Sequence, residues 1–211
     1  NKQNIKQVFW EFMVIHAFIA GFGGICIYYL INPFIILWLG DKYLLSEQTV
    51  TIFCGIFMLR QVVQPTETFK QAYGLYDDVW APIVKSIVNL AVSIILVQKM
   101  GISGLLLGTF VSILAIEGTW RPYYVYKFGF KDSHWEYIKG VGKLIITFLA
   151  ALFILHNVFG WVDIASTNFF GWILKTIWIS SATAITYGLL LYLTNPFCRN
   201  VVKRFQNKLL K

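Results

Sequence analysis

Charged side chains are scarce in this sequence. They make up 13% of its 211 residues, against 57% hydrophobic ones, where a soluble domain carries roughly 25% charge. So little charge cannot keep a surface of this size wet, which excludes an ordinary soluble domain and makes lipid the expected solvent. Cysteine is nearly absent. Cys26, Cys54 and Cys198 are odd in number and far apart, and with no CxxC or His/Cys spacing they suggest neither zinc nor a disulfide framework. Cys26 and Cys54 lie in apolar stretches and read as small buried hydrophobes. The three histidines, His16, His134 and His156, are scattered. There is no HExxH, no glycine-rich phosphate loop, no DxD-type metal pattern and no carboxylate pair at helical spacing. Asp77 and Asp78 are adjacent, point apart on a helix, and are expected as a solvated loop pair. Nothing converges on catalysis, so neither an enzyme nor a cofactor is expected. A signal-peptide layout is missing as well, since the chain opens on Asn1 and the run NKQNIK. The sequence therefore reads as the C-terminal part of something longer.

What is abundant is apolar sequence in long runs. A bilayer core of about 30 Å takes about 20 apolar residues per helix. Six stretches answer that description: Phe9–Ile31, Thr49–Gln64, Val79–Val97, Ile102–Thr119, Val141–Phe159 and Phe169–Leu193. The second is short, though Leu44 and Leu45 extend its apolar run. The fold expected is an all-α integral membrane bundle of about six transmembrane helices, followed by a basic tail over 194–211. Proline divides these spans: Pro33, Pro65, Pro122 and Pro196 each follow one, and the residue before proline disfavours continued helix. Between the third and fourth spans, Gly101-Ile102-Ser103-Gly104 predicts a tight hairpin with the two helices antiparallel.

The cations give the spans a direction. Lys2, Lys6, Arg60, Lys70, Lys85, Arg121, Lys127, Lys131, Lys139, Lys143, Arg199, Lys203, Arg204, Lys208 and Lys211 fall on one side, and Lys42, Lys99 and Lys175 on the other. Fifteen of 18 on one side is the positive-inside pattern. It requires an even number of spans and places both ends in the cytoplasm. Spread over alternate loops in this way, the net charge of +8 points to anionic headgroups rather than to nucleic acid. Trp120, Tyr123, Tyr124, Tyr126, Phe128, Phe130, Trp135 and Tyr137 crowd the basic loop after the fourth span, where polar-tipped rings settle at headgroup level. Over Thr66 to Trp80, Phe69, Ala72, Tyr73, Tyr76, Val79 and Trp80 recur at helical spacing, predicting a short helix in the cytoplasmic interface.

Polar residues within spans are costly in hydrocarbon and tend to face a partner or a cavity. Lys85, Asn89 and Ser93 stand at i, i+4 and i+8, one polar stripe on the third span. Two readings stay open for it, interhelical hydrogen bonding and the lining of a cavity. Arg60, late in the second span, lies toward the same cytoplasmic side as Lys85. Together they offer a phosphate grip, with Arg as a fork and Lys as a point charge, or both simply reach for the interface. Glu117 and Arg121, one turn apart at the end of the fourth span, form an ion pair in the favourable order or supply a coupling carboxylate. Gly104, Gly108 and Ser112, and Ser180, Ala184 and Gly188, make rows of small residues that let helices approach closely.

Several stretches, in order, resemble a known family. They are Pro33-Phe-Ile-Ile-Leu-Trp-Leu-Gly-Asp-Lys-Tyr-Leu-Leu-Ser46, Gly74-Leu-Tyr-Asp-Asp-Val-Trp-Ala-Pro82 and Asn89-Leu-Ala-Val-Ser93. Gly101-Ile-Ser-Gly-Leu-Leu-Leu-Gly-Thr109 and Trp120-Arg-Pro-Tyr-Tyr-Val-Tyr-Lys127 follow. The chain resembles bacterial polysaccharide flippases, which move O-antigen or capsule repeat units and belong to the multidrug/oligosaccharidyl-lipid/polysaccharide exporter superfamily. The likeness covers roughly residues 31–131, with the last two spans matching by hydropathy. It implies a two-lobed helical transporter of the inner membrane, of which this chain supplies about the last six spans. It also implies a function: moving an undecaprenyl-pyrophosphate-linked oligosaccharide to the outer leaflet by alternating access, with no bond made or broken. The partners implied are that lipid-linked oligosaccharide, membrane lipids and polysaccharide assembly proteins. Arg60, Lys85, Asn89 and Ser93 are the candidates for the cavity lining. Another exporter of the same superfamily, or a membrane acyl- or glycosyltransferase starting from His134, are the alternatives.

Overall fold

A computed structural model of the chain describes residues 2–161 and 168–209. All its regular structure among these residues is helical. Seven helices follow one another: α1 (Lys2–Leu39), α2 (Glu47–Ala72), α3 (Trp80–Met100), α4 (Ile102–Phe130), α5 (Trp135–Trp161), α6 (Phe169–Thr194) and α7 (Pro196–Leu209). A single 3₁₀ turn at Asp41–Tyr43 joins the first two. Five of the seven, α1, α3, α4, α5 and α6, are long and apolar enough to cross a membrane.

Of the six spans expected, the second is the one that lacks this apolar length. The helix α2 has 26 residues, enough for a crossing, but it carries Glu47, Arg60, Glu67 and Lys70 and four glutamines. Its apolar part, 49–64, rises only about 24 Å, short of the roughly 30 Å hydrocarbon core.

Proline does not divide the helices as its position suggested. Pro33 lies inside α1 and Pro65 inside α2, and α4 runs through Pro122. An interior proline loses one backbone bond and crowds the preceding turn, and helices in lipid tolerate this where local register shifts re-satisfy the backbone. Such a shift is present in α4, which widens to π geometry over Ile113–Trp120 and Val125–Phe130 on either side of Pro122. The N–H of Arg121 thus reaches back five residues to the Ile116 carbonyl. Of these four prolines Pro196 alone marks a break: Asn195 is extended (φ −119°, ψ 116°) and α7 begins next to it. Two further expectations fall with the prolines. The segment after Pro65 is no separate interfacial helix but the continuation of α2 to Ala72, and the aromatic stretch Trp120–Phe130 is helix rather than loop.

The chain divides into two compact units, residues 45–139 and residues 1–44 with 140–211. In the first, Ser46 caps α2 by accepting the Thr49 N–H at 3.2 Å, and Gly74 (φ +64°) closes the helix by a left-handed turn that returns the Leu75 N–H to the Lys70 carbonyl. Ile56 and Val63 of α2 bury against Ile113 of α4, with Ile52, Leu59, Leu106 and Phe110 around them. α3 and α4 form the expected antiparallel hairpin on Gly101 (φ +56°). Their approach is close enough that a Cβ on Gly104 would strike the Leu96 carbonyl, and one on Gly108 would lie 2.8 Å from the Ser93 nitrogen. The row of small residues is therefore a contact between helices.

In the second unit α6 packs along α1. Tyr187, 2% exposed, lies over Gly21, where a Cβ would overlap its ring, and donates its hydroxyl hydrogen to the Ala17 carbonyl at 3.1 Å. Trp172 Nε1 donates to the Leu30 carbonyl at 3.3 Å. α7 lies against both α1 and α6: Phe197 stacks on Trp10 at 6.0 Å, and Arg204 reaches Glu11 at 3.2 Å. The predicted basic tail is thus, through Leu209, a helix held against α1 by Phe197 and Arg204.

Candidate functional site

Four ionised side chains from three helices meet in the unit formed by 45–139. The continuation of α2 past Pro65 carries Glu67, the first turns of α3 carry Lys85, and the widened part of α4 carries Glu117, with Arg121 four residues on. Lys85 Nζ lies 2.6 Å from Glu117 Oε1, and Arg121 Nη1 lies 3.2 Å from the same oxygen. Arg121 Nε lies 3.0 Å from Glu67 Oε2, a charge contact without hydrogen-bond alignment. Side-chain exposure runs from 10% at Glu117 to 26% at Lys85. Two carboxylates face two cations, so the group carries no net charge. Ion pairs this far from water interact strongly, but much of that attraction offsets desolvation. Balanced partners are what such positions demand.

The polar stripe on α3 continues from this network. Ser93, buried, donates its hydroxyl hydrogen to Asn89 Oδ1 at 3.0 Å, with the Leu105 carbonyl of α4 at 3.3 Å. Asn89 and Ser93 thus sit where α4 passes at Gly108, engaged within the hairpin. Arg60 is exposed and joins no ion pair or hydrogen bond among the described residues. Lys85 and Glu117–Arg121 are brought together, then, while Arg60 stands apart.

Two participants escaped the sequence reading. Glu67 gives no local signal, because its partner Arg121 is 54 positions away on another helix. Asp78 was expected in solvent with Asp77, yet it is 3% exposed and paired with Lys70, a pair hidden because the chain leaves the helix after Ala72, between the two residues. Asp77 alone is exposed. His134 packs its ring on Trp135 at 5.3 Å and edge-on to Tyr123 at 5.8 Å. Among the described residues no three His, Cys, Asp or Glu gather in a way that would hold a metal. Set beside protein-family models, curated proteins and solved structures, the chain matches none of them.

Proposed function

We propose that this chain is part of a transporter that moves a lipid-linked oligosaccharide, of the undecaprenyl-pyrophosphate type, across the inner membrane by alternating access. The observation that carries the transport reading is the charge-balanced group of Glu67, Lys85, Glu117 and Arg121. Ionised residues amid helices of membrane-crossing length are expensive unless they serve a pathway or a moving contact, and this set links three helices. The substrate class rests on the ordered resemblance of residues 31–131 to polysaccharide flippases. In this reading α2 is a sixth crossing, its charged end sheltered by α3 and α4. Only then do fifteen cations share the cytoplasmic side and both ends of the segment lie there.

Within that reading the diphosphate falls to Arg60 and Lys85. Arg60 is exposed and offers a two-pronged grip. Lys85 becomes available by leaving Glu117, which keeps Arg121 as its partner. Asn89 and Ser93 hold the α3–α4 hairpin, which moves as one body. The test is to replace both cations, Arg60→Gln with Lys85→Gln, in the full-length protein and measure surface polysaccharide alongside membrane insertion. Reduced polysaccharide at unchanged insertion supports the assignment, and unchanged polysaccharide overturns it. Complementation of a flippase-deleted strain separates the substrate classes: rescue of drug efflux without polysaccharide would favour an exporter of another cargo.

A further inference from the structure

A cavity of about 270 Å³ opens in the 45–139 unit, away from the α3–α4 hairpin turn. Leu75, Asp77, Asp78, Trp80, Trp120, Tyr124 and Phe128 line it. Trp120, Tyr124 and Phe128 stand at four-residue intervals on α4, their rings linked at 5.9 Å and 4.9 Å. Trp80, at the start of α3, meets Trp120 edge-on at 4.8 Å. Four aromatic rings therefore wall one small space. The remaining polar lining is two carboxylates, Asp77 exposed and Asp78 buried.

The lining residues themselves include two carboxylates and no cation. Lys70 pairs with Asp78 through Oδ1, and the second oxygen, Oδ2, is buried without a hydrogen-bond partner. Asp77 has no ion pair among the described residues. Lys127 is not among the lining residues, its Nζ lying 5.4 Å from the Phe128 centroid and bonded to the Tyr123 hydroxyl at 2.7 Å, so within the lining Asp77 is a carboxylate without an ion pair, set among ring faces that themselves attract cations. An anion is disfavoured there, and a neutral apolar group would waste the carboxylates. We infer that this cavity binds a small organic ammonium ion, its charged nitrogen held over the rings of Trp80, Trp120 and Tyr124 with Asp77 as counter-ion. The ammonium group belongs either to a free amine or to a lipid headgroup, since both present the same chemistry. The site is independent of Arg60 and Lys85.

Choline is the probe. The purified full chain is placed in phosphatidylglycerol nanodiscs and titrated with choline chloride by calorimetry at constant chloride concentration. Saturable binding is expected, with 3,3-dimethylbutan-1-ol, its neutral isostere, bound at least about tenfold more weakly because it lacks the cation–π and ionic terms. Trp120→Leu and Asp77→Asn should each weaken choline about tenfold. Asp77 is exposed, so Asp77→Asn decides the matter if Trp120→Leu fails to fold. A repeat in phosphatidylethanolamine nanodiscs distinguishes the sources: loss of choline binding there identifies the headgroup as occupant, and unchanged binding identifies a free amine. Equal binding of the neutral isostere, wild-type affinity in Asp77→Asn, or tighter binding of a neutral sugar such as N-acetylglucosamine would overturn the inference.

Discussion

Lys85 and Arg121 share a single oxygen of Glu117, the first at 2.6 Å and the second at 3.2 Å. One carboxylate thus serves two cations from two helices, and its loss should hurt more than the loss of either cation.

Glu117→Gln leaves Lys85 without a counter-charge and Arg121 with Glu67 alone. Breaking a buried pair costs about 3–5 kcal/mol when one charge is stranded. Lys85 keeps some contact with solvent, so about 2 kcal/mol is the expectation here. Lys85→Met should cost about half as much, because Glu117 retains Arg121. Denaturant titration of the purified protein, followed by tryptophan fluorescence, gives the order, and Lys85→Met costing the more would contradict the arrangement.

Gly108 and Gly142 make a paired experiment. A Cβ on Gly108 meets Ser93 and the Asn89 carbonyl, whereas one on Gly142 has nothing within 4 Å. Gly108→Ala should therefore force α3 from α4 and lower the melting temperature by several degrees. Gly142→Ala removes a glycine from the interior of α5 at no steric cost and should be neutral or stabilising by up to about 1 kcal/mol. Opposite signs in a thermal-shift assay are the expected outcome.

Tyr187→Phe deletes one buried hydrogen bond while keeping the ring that stacks parallel to Phe18 and meets Phe148 edge-on. The Ala17 carbonyl keeps its place in the helical ladder of α1, so the loss should stay near about 1 kcal/mol. Gly21→Val should cost well beyond that, since its side chain would occupy the space of the Tyr187 ring. Denaturant midpoints of the two variants check the ranking.

What was legible in the sequence followed from local physics. Apolar runs mark α1, α3, α4, α5 and α6 because lipid selects length and composition directly. The Gly101 turn and the Gly104–Gly108 row were readable since both act through backbone geometry at fixed spacing. Glu117–Arg121 was readable as an i, i+4 pair. Proline misled for a physical reason. The rule that helices end before it describes an isolated backbone, whereas at Pro122 a widened register carries the helix through. At Pro65 the same misreading hid the final turns of α2, and with them the burial of Lys70 and the approach of Glu67 to Arg121. Those contacts depend on how three helices assemble, and no period within one helix encodes that.

Six crossings with both ends on one side require α2 to be a membrane helix despite its charges. Single cysteines at Lys42, Lys99, Lys175, Lys127, Lys139 and Lys203, in a background lacking Cys26, Cys54 and Cys198, test this in intact spheroplasts with a membrane-impermeant maleimide. Labelling is expected at 42, 99 and 175, and at 127, 139 and 203 only after permeabilisation. Labelling at 42 but not at 99 would show that α2 stays on one side, and would contradict the six crossings.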